Sequence, residues 1–403
     1  MRGIALHPEY RMPPKDITWK LDPHTQAKHV ILKRYLDAWF PILANAQKGG
    51  LLYIDGFCGP GSYKDGEDGS PLIALKCAIN QQSWLKERVL FWFLDGRLDR
   101  VEHLRTKISE ITLPGNFEVM SDHGEFDKKF PEVLRQFDDS KVPVFPTFAF
   151  VDPFGFKGIP FALIADLLKR PQCEVLINFM VEPINRWIEH PNEAVVDHIR
   201  DAFGTDDCVR VARESNDPFV DLRDLYTQQL KTVAKFVRHF EMRNKQNKPL
   251  YYLFFASNNA KGHLKMKEAM WAVDPHGEFM FSDSTRPRQL VCYGESVKNI
   301  ADLRSIVREN FAGDEYLPVH KIGQFVEDET AYLTKHMREA FKEEERTGGA
   351  VVADKRIDDK PRRANSFPNE ALIKILQEPT PQPSDRIAPV QLSLFGDSDP
   401  SQE

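Results

Sequence analysis

Apolar residues Val30, Ile31, Tyr35, Leu36, Trp39 and Phe40 recur at helical spacing, so residues 28–43 are predicted to form an amphipathic helix. Beyond it the pattern changes to short, nearly continuous apolar runs at 51–54, 89–94, 117–120, 148–151 and 175–179. Such runs suit strands of a parallel sheet covered on both faces, and helical patterns at 99–108 and 159–168 supply the cover. The expected class is therefore α/β, a doubly wound, mostly parallel sheet. A polar helical stretch over about 192–245 interrupts the series and reads as an inserted helical lid. A strand at 250–255, a helix at 261–271 and a short strand at 279–281 then resume it.

From residue 299 the periodicity is that of a different fold. Residues 299–311, 319–325 and 331–345 read as three helices, with Thr330 as cap of the last, and Gly348-Gly349 turns into the apolar run Ala350-Val351-Val352. The expected organisation is an N-terminal extension over 1–22, a Rossmann-type domain over 23–290, a winged-helix-like domain over 295–377 and a tail over 378–403. The tail is rich in Pro, Gln, Ser and Asp and cannot bury enough apolar surface to order itself.

Composition narrows the function classes. A chain of 403 residues with 41% hydrophobic residues and 28 Phe builds large cores without staples. A net charge of -6 argues against a protein that coats nucleic acid, although it leaves room for local basic surfaces. The five cysteines are scattered, with no C-x-x-C pair or Cys/His cluster, so no metal site is expected and a reducing cytoplasm is. No apolar run approaches the roughly 18 to 20 residues that cross a bilayer, and no apolar signal segment opens the chain.

The candidate chemistry sits at strand ends. Leu51 to Ile54 leads into Asp55-Gly56-Phe57-Cys58-Gly59-Pro60-Gly61, where glycines let main-chain N–H groups approach a carboxylate or phosphate. Asp95 ends the second strand, where an acid accepts ribose hydroxyls, and Asp122 ends the third, where it can meet an adenine amino group. The competing reading is an ordinary tight turn with two helix caps. Asp152-Pro153-Phe154-Gly155 ends the fourth strand. A carboxylate there can accept hydrogens from an exocyclic amine while an aromatic side chain stacks on an extruded base. Asp152 reads alternatively as a cap for the helix after Gly158-Ile159-Pro160. The string resembles the Asp-Pro-Pro-Tyr signature of amino-methyltransferases, with Phe154 in place of the second proline and Gly155 in place of the aromatic.

Taken with His24-Thr25-Gln26-Ala27-Lys28-His29, Val175 to Met180, Ala256-Ser257-Asn258 and Met266 to Trp271, these motifs resemble the three-Cys-motif partner protein family, TcmP, over most of residues 20–375. The resemblance implies a methyltransferase-like Rossmann fold with S-adenosylmethionine as the cofactor to expect, and a winged helix after it. It also implies a partner protein of radical S-adenosylmethionine type that carries the three cysteines. Asp55, Gly56, Gly59, Gly61, Asp95 and Asp122 are the expected cofactor contacts, and Asp152, Pro153 and Phe154 the expected reaction centre.

Two further segments suggest partners. Lys355, Arg356, Arg362 and Arg363 form a basic stretch that can contact DNA phosphates, or else a solvated hairpin interleaved with Asp354, Asp358 and Asp359. In the tail, Gln391, Leu392, Leu394 and Phe395 resemble the pentapeptide that binds the bacterial sliding clamp; the alternative is a segment that tucks onto this protein's own surface. Two functions follow: a methyltransferase-like enzyme acting on or near DNA, in a repair setting, or a non-catalytic nucleic-acid-binding adaptor of the three-Cys-motif partner. A nuclease would need Asp55, Asp95 and Asp152 to gather metal ions.

Overall fold

The computed structural model describes residues 15–46, 49–140, 145–274, 278–283, 300–313, 315–353 and 356–377. The chain divides into two compact units, Met1–Lys298 and Asn299–Glu403. No described helix is long and apolar enough to cross a membrane.

The first unit opens with helix α1 (Pro23–Ala46), followed by β1 (Leu51–Asp55), α2 (Ser70–Asn80), β2 (Val89–Asp95), α3 (Leu98–Ser109), β3 (Phe117–His123) and α4 (Phe126–Ser140). Next come β4 (Thr147–Val151), α5 (Phe161–Leu168), β5 (Cys173–Phe179) and four helices, α6 (Val181–Trp187), α7 (Glu193–Phe203), α8 (Asp207–Glu214) and α9 (Pro218–Lys231). The unit ends with β6 (Phe236–Arg243), β7 (Pro249–Ser257), α10 (Ala260–Trp271) and β8 (Met280–Ser282). The eight strands form one sheet in the order β3-β2-β1-β4-β5-β7-β6-β8. All neighbours are parallel except β7, which runs antiparallel to both β5 and β6. This is the doubly wound sheet expected from the sequence, in its methyltransferase-like Rossmann form. The order reverses between β1 and β4, which opens a crevice at their carboxyl ends.

Strands β1, β2, β4 and β5 are buried at every position, as their unbroken apolar runs require, whereas the edge strand β3 alternates. Register sets Tyr53 beside Phe91 on one side and Phe148 on the other, and Tyr35 of α1 packs on Phe148. On the opposite face Trp92 stacks on Phe130 of α4, which stacks on Phe126. A buried carboxylate pins α1 to the sheet: Glu174 accepts from Tyr35 Oη at 2.5 Å, Trp39 Nε1 at 3.0 Å and Ser257 Oγ at 2.7 Å. With both oxygens satisfied, the group rigidifies the core it sits in. Gly262 lies so close that a Cβ there would come within 2.0 Å of Glu174 Oε1.

The stretch read as a lid is two different things. Helices α7 and α9 bury Ile199, Phe203, Leu222 and Tyr226 in the same core as Phe179 and Phe254, so they form a layer of the sheet domain and line no part of the cavity described below. Residues 236–243 are strand β6. Its apolar positions Phe240 and Met242 alternate with Arg, His and Glu, because this strand lies near the sheet's margin and is buried less completely than the central strands.

The second unit contains α11 (Ile300–Phe311), β9 (Leu317–Pro318), α12 (Val319–Glu329), α13 (Thr334–Thr347), β10 (Ala350–Val352) and β11 (Leu372–Ile375). The strands make an antiparallel sheet in the order β10-β11-β9. Thr330 does not begin α13. It closes α12, its hydroxyl donating back to the Val326 carbonyl at 2.6 Å, and α13 is entered through Leu333.

Candidate functional site

A cavity of about 150 Å³ opens at the carboxyl ends of β1 and β4. Its walls come from the loop after β1 (Gly59, Gly61), the exit of β4 (Asp152, Pro153, Phe154), the end of β5 (Asn178) and α1 (Lys28, His29). Trp19 and Asp22, ahead of α1, and Tyr63 and Tyr251 also line it.

Asp152 is the hub. Its Oδ2 accepts from Lys28 Nζ at 2.5 Å and its Oδ1 from Asn178 Nδ2 at 2.6 Å, while Lys28 Nζ also lies 5.4 Å from the centre of the Tyr251 ring. The cap reading of Asp152 is excluded, since α5 begins after Pro160 with no side-chain cap. Because a carboxylate only accepts, the Asn178 amide must turn its NH₂ toward Asp152. The carbonyl end, Asn178 Oδ1, is left buried without a donor. Phe154 is 40% exposed at the rim, edge-on to Trp19 at 5.7 Å, so an aromatic ring is present one position earlier than in the signature the string resembles.

The glycine loop is organised mostly by its own chain. Gly56 N–H donates to Phe150 O, Cys58 N–H to Leu94 O and Gly59 N–H to Asp95 Oδ2, so these donors are not turned toward a ligand as the sequence suggested. A Cβ on Gly56 would strike Phe126 and one on Gly61 would strike Leu104, each at 2.6 Å. Gly59 differs. Its φ of 61° favours glycine, and a Cβ there would clash with nothing, meeting only Trp19 in ordinary contact at 3.7 Å.

The three acids of the first strands have separate fates. Asp55 is fully buried behind the loop, Oδ1 accepting weakly from Phe57 N–H at 3.3 Å and Oδ2 meeting no donor. Burial pushes its carboxyl up to about 7. The nearby charges of Asp152 and Asp95 add to the rise, and Ser70 and the Phe57 amide offset part of it. Asp95 is buried and binds main chain through both oxygens, to Gly59 N–H at 3.0 Å and Arg97 N–H at 2.8 Å. Burial raises its carboxyl, against the pull of the Arg97 amide and the Arg100 guanidinium. Asp122 is exposed and accepts from the Trp92 indole at 2.9 Å. It is not the last residue of β3, and it does not line the cavity. Among the described residues no three His, Cys, Asp or Glu side chains converge as metal ligands, so Asp55, Asp95 and Asp152 do not assemble the nuclease centre considered above.

In the second unit Arg362 is committed to Glu345 at 2.5 Å and packs over Phe367. Arg356 pairs with Asp358 at 2.9 Å and Glu370 at 3.1 Å, and Arg363 is exposed. Lys355 and the tail residues Gln391, Leu392, Leu394 and Phe395 lie outside the described residues.

Sequence reasoning missed the contribution of Trp19, Lys28 and His29 as site residues. A signal was there: Lys28 falls on the same helical face as the buried Ile31, Leu32 and Tyr35, where an unpaired charge would be costly.

No family model matches the chain, and no curated protein does. Among solved structures the chain is similar to the LPL1258 protein of Legionella pneumophila, assigned to family DUF519, with 16% identity over 58% of this chain and 85% of that one and a TM-score of 0.34. The cyclopropane synthase MmaA2 of Mycobacterium tuberculosis shows 12% identity over 58% and 68%, with a TM-score of 0.24. The plantazolicin methyltransferase BamL, solved with S-adenosylhomocysteine, shows 13% identity over 59% and 85%, with a TM-score of 0.25.

Proposed function

We propose that this chain is an S-adenosylmethionine-dependent, methyltransferase-like enzyme that acts on an amino group of a nucleic-acid base. The observation that carries the reading is Asp152 at the switch-point cavity, gripped by Lys28 and Asn178 and flanked by an exposed Phe154.

The residues present suit the cofactor in one definite respect. Asn178 lines the cavity and keeps a buried carbonyl oxygen without a donor, so an acceptor is left there for an ammonium or hydroxyl of the ligand, whereas Asp55 lies buried behind the loop and off the cavity wall. The cofactor carries a sulfonium and an ammonium and would supply an activated methyl group. The loop around Gly59 and Gly61 would hold it. Asp152 would receive the acceptor amine, with Lys28 and Asn178 fixing the carboxylate's direction and Phe154 offering a face to the base. Isothermal titration with S-adenosylmethionine, joined to transfer of labelled methyl into single-stranded DNA, tests this. Binding in the micromolar range and transfer abolished by Asp152→Ala are expected; no heat at millimolar cofactor would end the reading.

The adaptor reading has its own support. Trp19 covers Gly59, the oxygens of Asp95 already bind main chain, and the cavity is smaller than the roughly 300 Å³ at which ligand pockets usually begin. In that reading the chain recruits a three-Cys-motif partner, the second unit serves as a winged helix on DNA and the tail binds the sliding clamp. Deleting residues 388–403 should then abolish clamp pull-down while leaving cofactor binding as it was.

A further inference from the structure

Methyl transfer to an amine releases a proton, and Asp152 is not arranged to take it. Both of its oxygens already accept hydrogen bonds, from Lys28 Nζ and Asn178 Nδ2. Three other titratable groups on the cavity wall are equally unsuited. Burial, helped by the Lys28 cation and opposed by Asp152, pushes His29 down to about 3. Burial and the charges of Asp152 and Asp283 hold the Tyr251 phenol well above its ordinary value, and burial and Asp152 raise Tyr63, so both phenols stay protonated.

His24, in the first turn of α1, is built differently. It lines the cavity, and its Nδ1 lies 3.0 Å from Oδ2 of Asp283, just past β8 and 259 residues away. A carboxylate only accepts, so in the neutral ring the hydrogen sits on Nδ1 and Nε2 keeps its lone pair. Asp283 is not on the cavity wall, so the Nδ1 edge of the ring points away from the cavity and the Nε2 edge is left for a ligand. The pair is sheltered, with side chains 18% and 6% exposed, and Asp283 Oδ1 is buried without a hydrogen-bond partner. That carboxylate is placed to fix the ring's tautomer and to balance the charge the ring gains with a proton. Tyr251 holds the imidazole from the side: the two rings meet edge-on at 5.8 Å, and the tyrosine hydroxyl donates to the His24 carbonyl at 3.4 Å. Lys28 follows one helical turn later, so the imidazole and the Lys28–Asp152 pair share one face of α1.

We propose that His24 and Asp283 form the dyad that takes up the acceptor's proton, with Nε2 as the receiving atom and Asp283 as the positioning residue. The assignment rests on the methyl-transfer reading above and adds the group that completes it. The amine's N–H bond breaks and its proton passes to Nε2, while its new N–C bond takes the methyl carbon from the sulfonium, whose electron pair returns to sulfur. The imidazolium then releases its proton to solvent, to which the ring is partly open. The charged and titratable groups around the ring are Asp22 ahead of α1, Lys28 on it, Asp152 past β4, Tyr251 on β7, Asp283, and Arg243 on β6, whose carbonyl accepts from the Asp283 amide at 3.2 Å.

Long-range nitrogen–proton NMR of the full chain, with isotope-labelled histidine, reads the tautomer without any ligand, and His24→Gln identifies the signal. The wild type is expected to hold His24 mainly in the Nδ1–H form at about pH 8, and Asp283→Asn to shift the ring toward the Nε2–H form. Methyl transfer to single-stranded DNA should fall about a hundredfold in His24→Gln, with S-adenosylmethionine affinity by calorimetry within about twofold of wild type. The rise of kcat with pH should vanish in the same variant. Asp283→Asn should lower kcat more than it changes KM, and Asp283→Glu should recover part of the loss. His24→Ala takes the place of the glutamine variant should its melting temperature show that it does not fold. An Nε2–H tautomer in the wild type, or unchanged turnover in a folded His24 variant, overturns the proposal while leaving the methyl-transfer reading in place. Absent cofactor binding in the wild type removes that reading, and the proton-acceptor role with it, whatever the tautomer.

Discussion

Lys28 Nζ lies 2.5 Å from Asp152 Oδ2, and this ion pair ties the first helix of the sheet domain to the exit of its fourth strand. The lysine side chain is 5% exposed and the aspartate 20%, so neither charge is well hydrated. Removing one partner of such a pair leaves the other uncompensated, whereas removing both costs much less.

Lys28→Met is therefore expected to destabilise the protein by about 3 kcal/mol. Lys28→Met combined with Asp152→Asn should recover most of that loss, and a double-mutant cycle in urea measures the coupling. Methyl transfer, if the enzyme reading holds, should fall at least tenfold in each variant, because Asp152 loses either its charge or its fixed direction.

Asp55 should give stability a pH dependence of definite sign. Its carboxyl titrates near 7 in the folded protein against an ordinary value of 3.8. The folded state thus holds a proton that the unfolded chain has released. Its stabilising contribution is complete below about pH 4 and is lost as the pH rises to 7, a difference of about 4 kcal/mol. Asp55→Asn should remove this slope, seen as the difference between wild-type and variant urea midpoints from pH 4 to 8.

The same group should couple to cofactor binding. Asp55 lies behind the loop and off the cavity wall, so a cationic ligand favours its ionised form through space, and S-adenosylmethionine affinity should rise by less than about tenfold between pH 6 and 8 with some proton release. Titration in buffers of different ionisation enthalpy counts the protons, and Asp55→Asn should abolish both effects. A flat affinity profile in the wild type would separate Asp55 from the ligand.

Gly262→Ala should cost about 2 to 3 kcal/mol, because the added methyl collides with a carboxylate held by three donors. Glu174→Gln combined with Gly262→Ala is expected to be no better, since the clash is with the side chain's position and not with its charge. Denaturation followed by tryptophan fluorescence checks both.

In the second unit the basic residues should separate by role. In the reading where the second unit contacts DNA, Arg363→Ala should weaken that binding and shallow its salt dependence by about one unit, as loss of a phosphate contact does, and an unchanged salt slope would count against the reading. Arg362→Ala should instead lower thermal stability, because that guanidinium is held by Glu345 and covers Phe367.

The elements that carry the site were legible where local pattern decides them. Unbroken apolar runs mark β1, β2, β4 and β5 because strands buried on both faces admit few polar positions. Strand β6 lies inside a stretch that reads as helical, because only Phe240 and Met242 show its period of two and Arg238 breaks it on the same face. Asp122 was placed at a strand end by sequence, yet the β2–β3 register pairs it with Leu94 and the Trp92 indole claims its carboxylate.

The sequence by itself determined a parallel sheet, a glycine turn after its first strand and an acid at the exit of its fourth, since each depends on neighbours a few residues away. Only the tertiary structure decided what those groups do. The partners of Asp152 lie 124 and 26 residues from it along the chain, and whether Asp95 faces a ligand or a backbone amide depends on how Gly59 is held. Charge pairing and cavity shape come from packing between distant segments, and local periodicity carries no record of that packing.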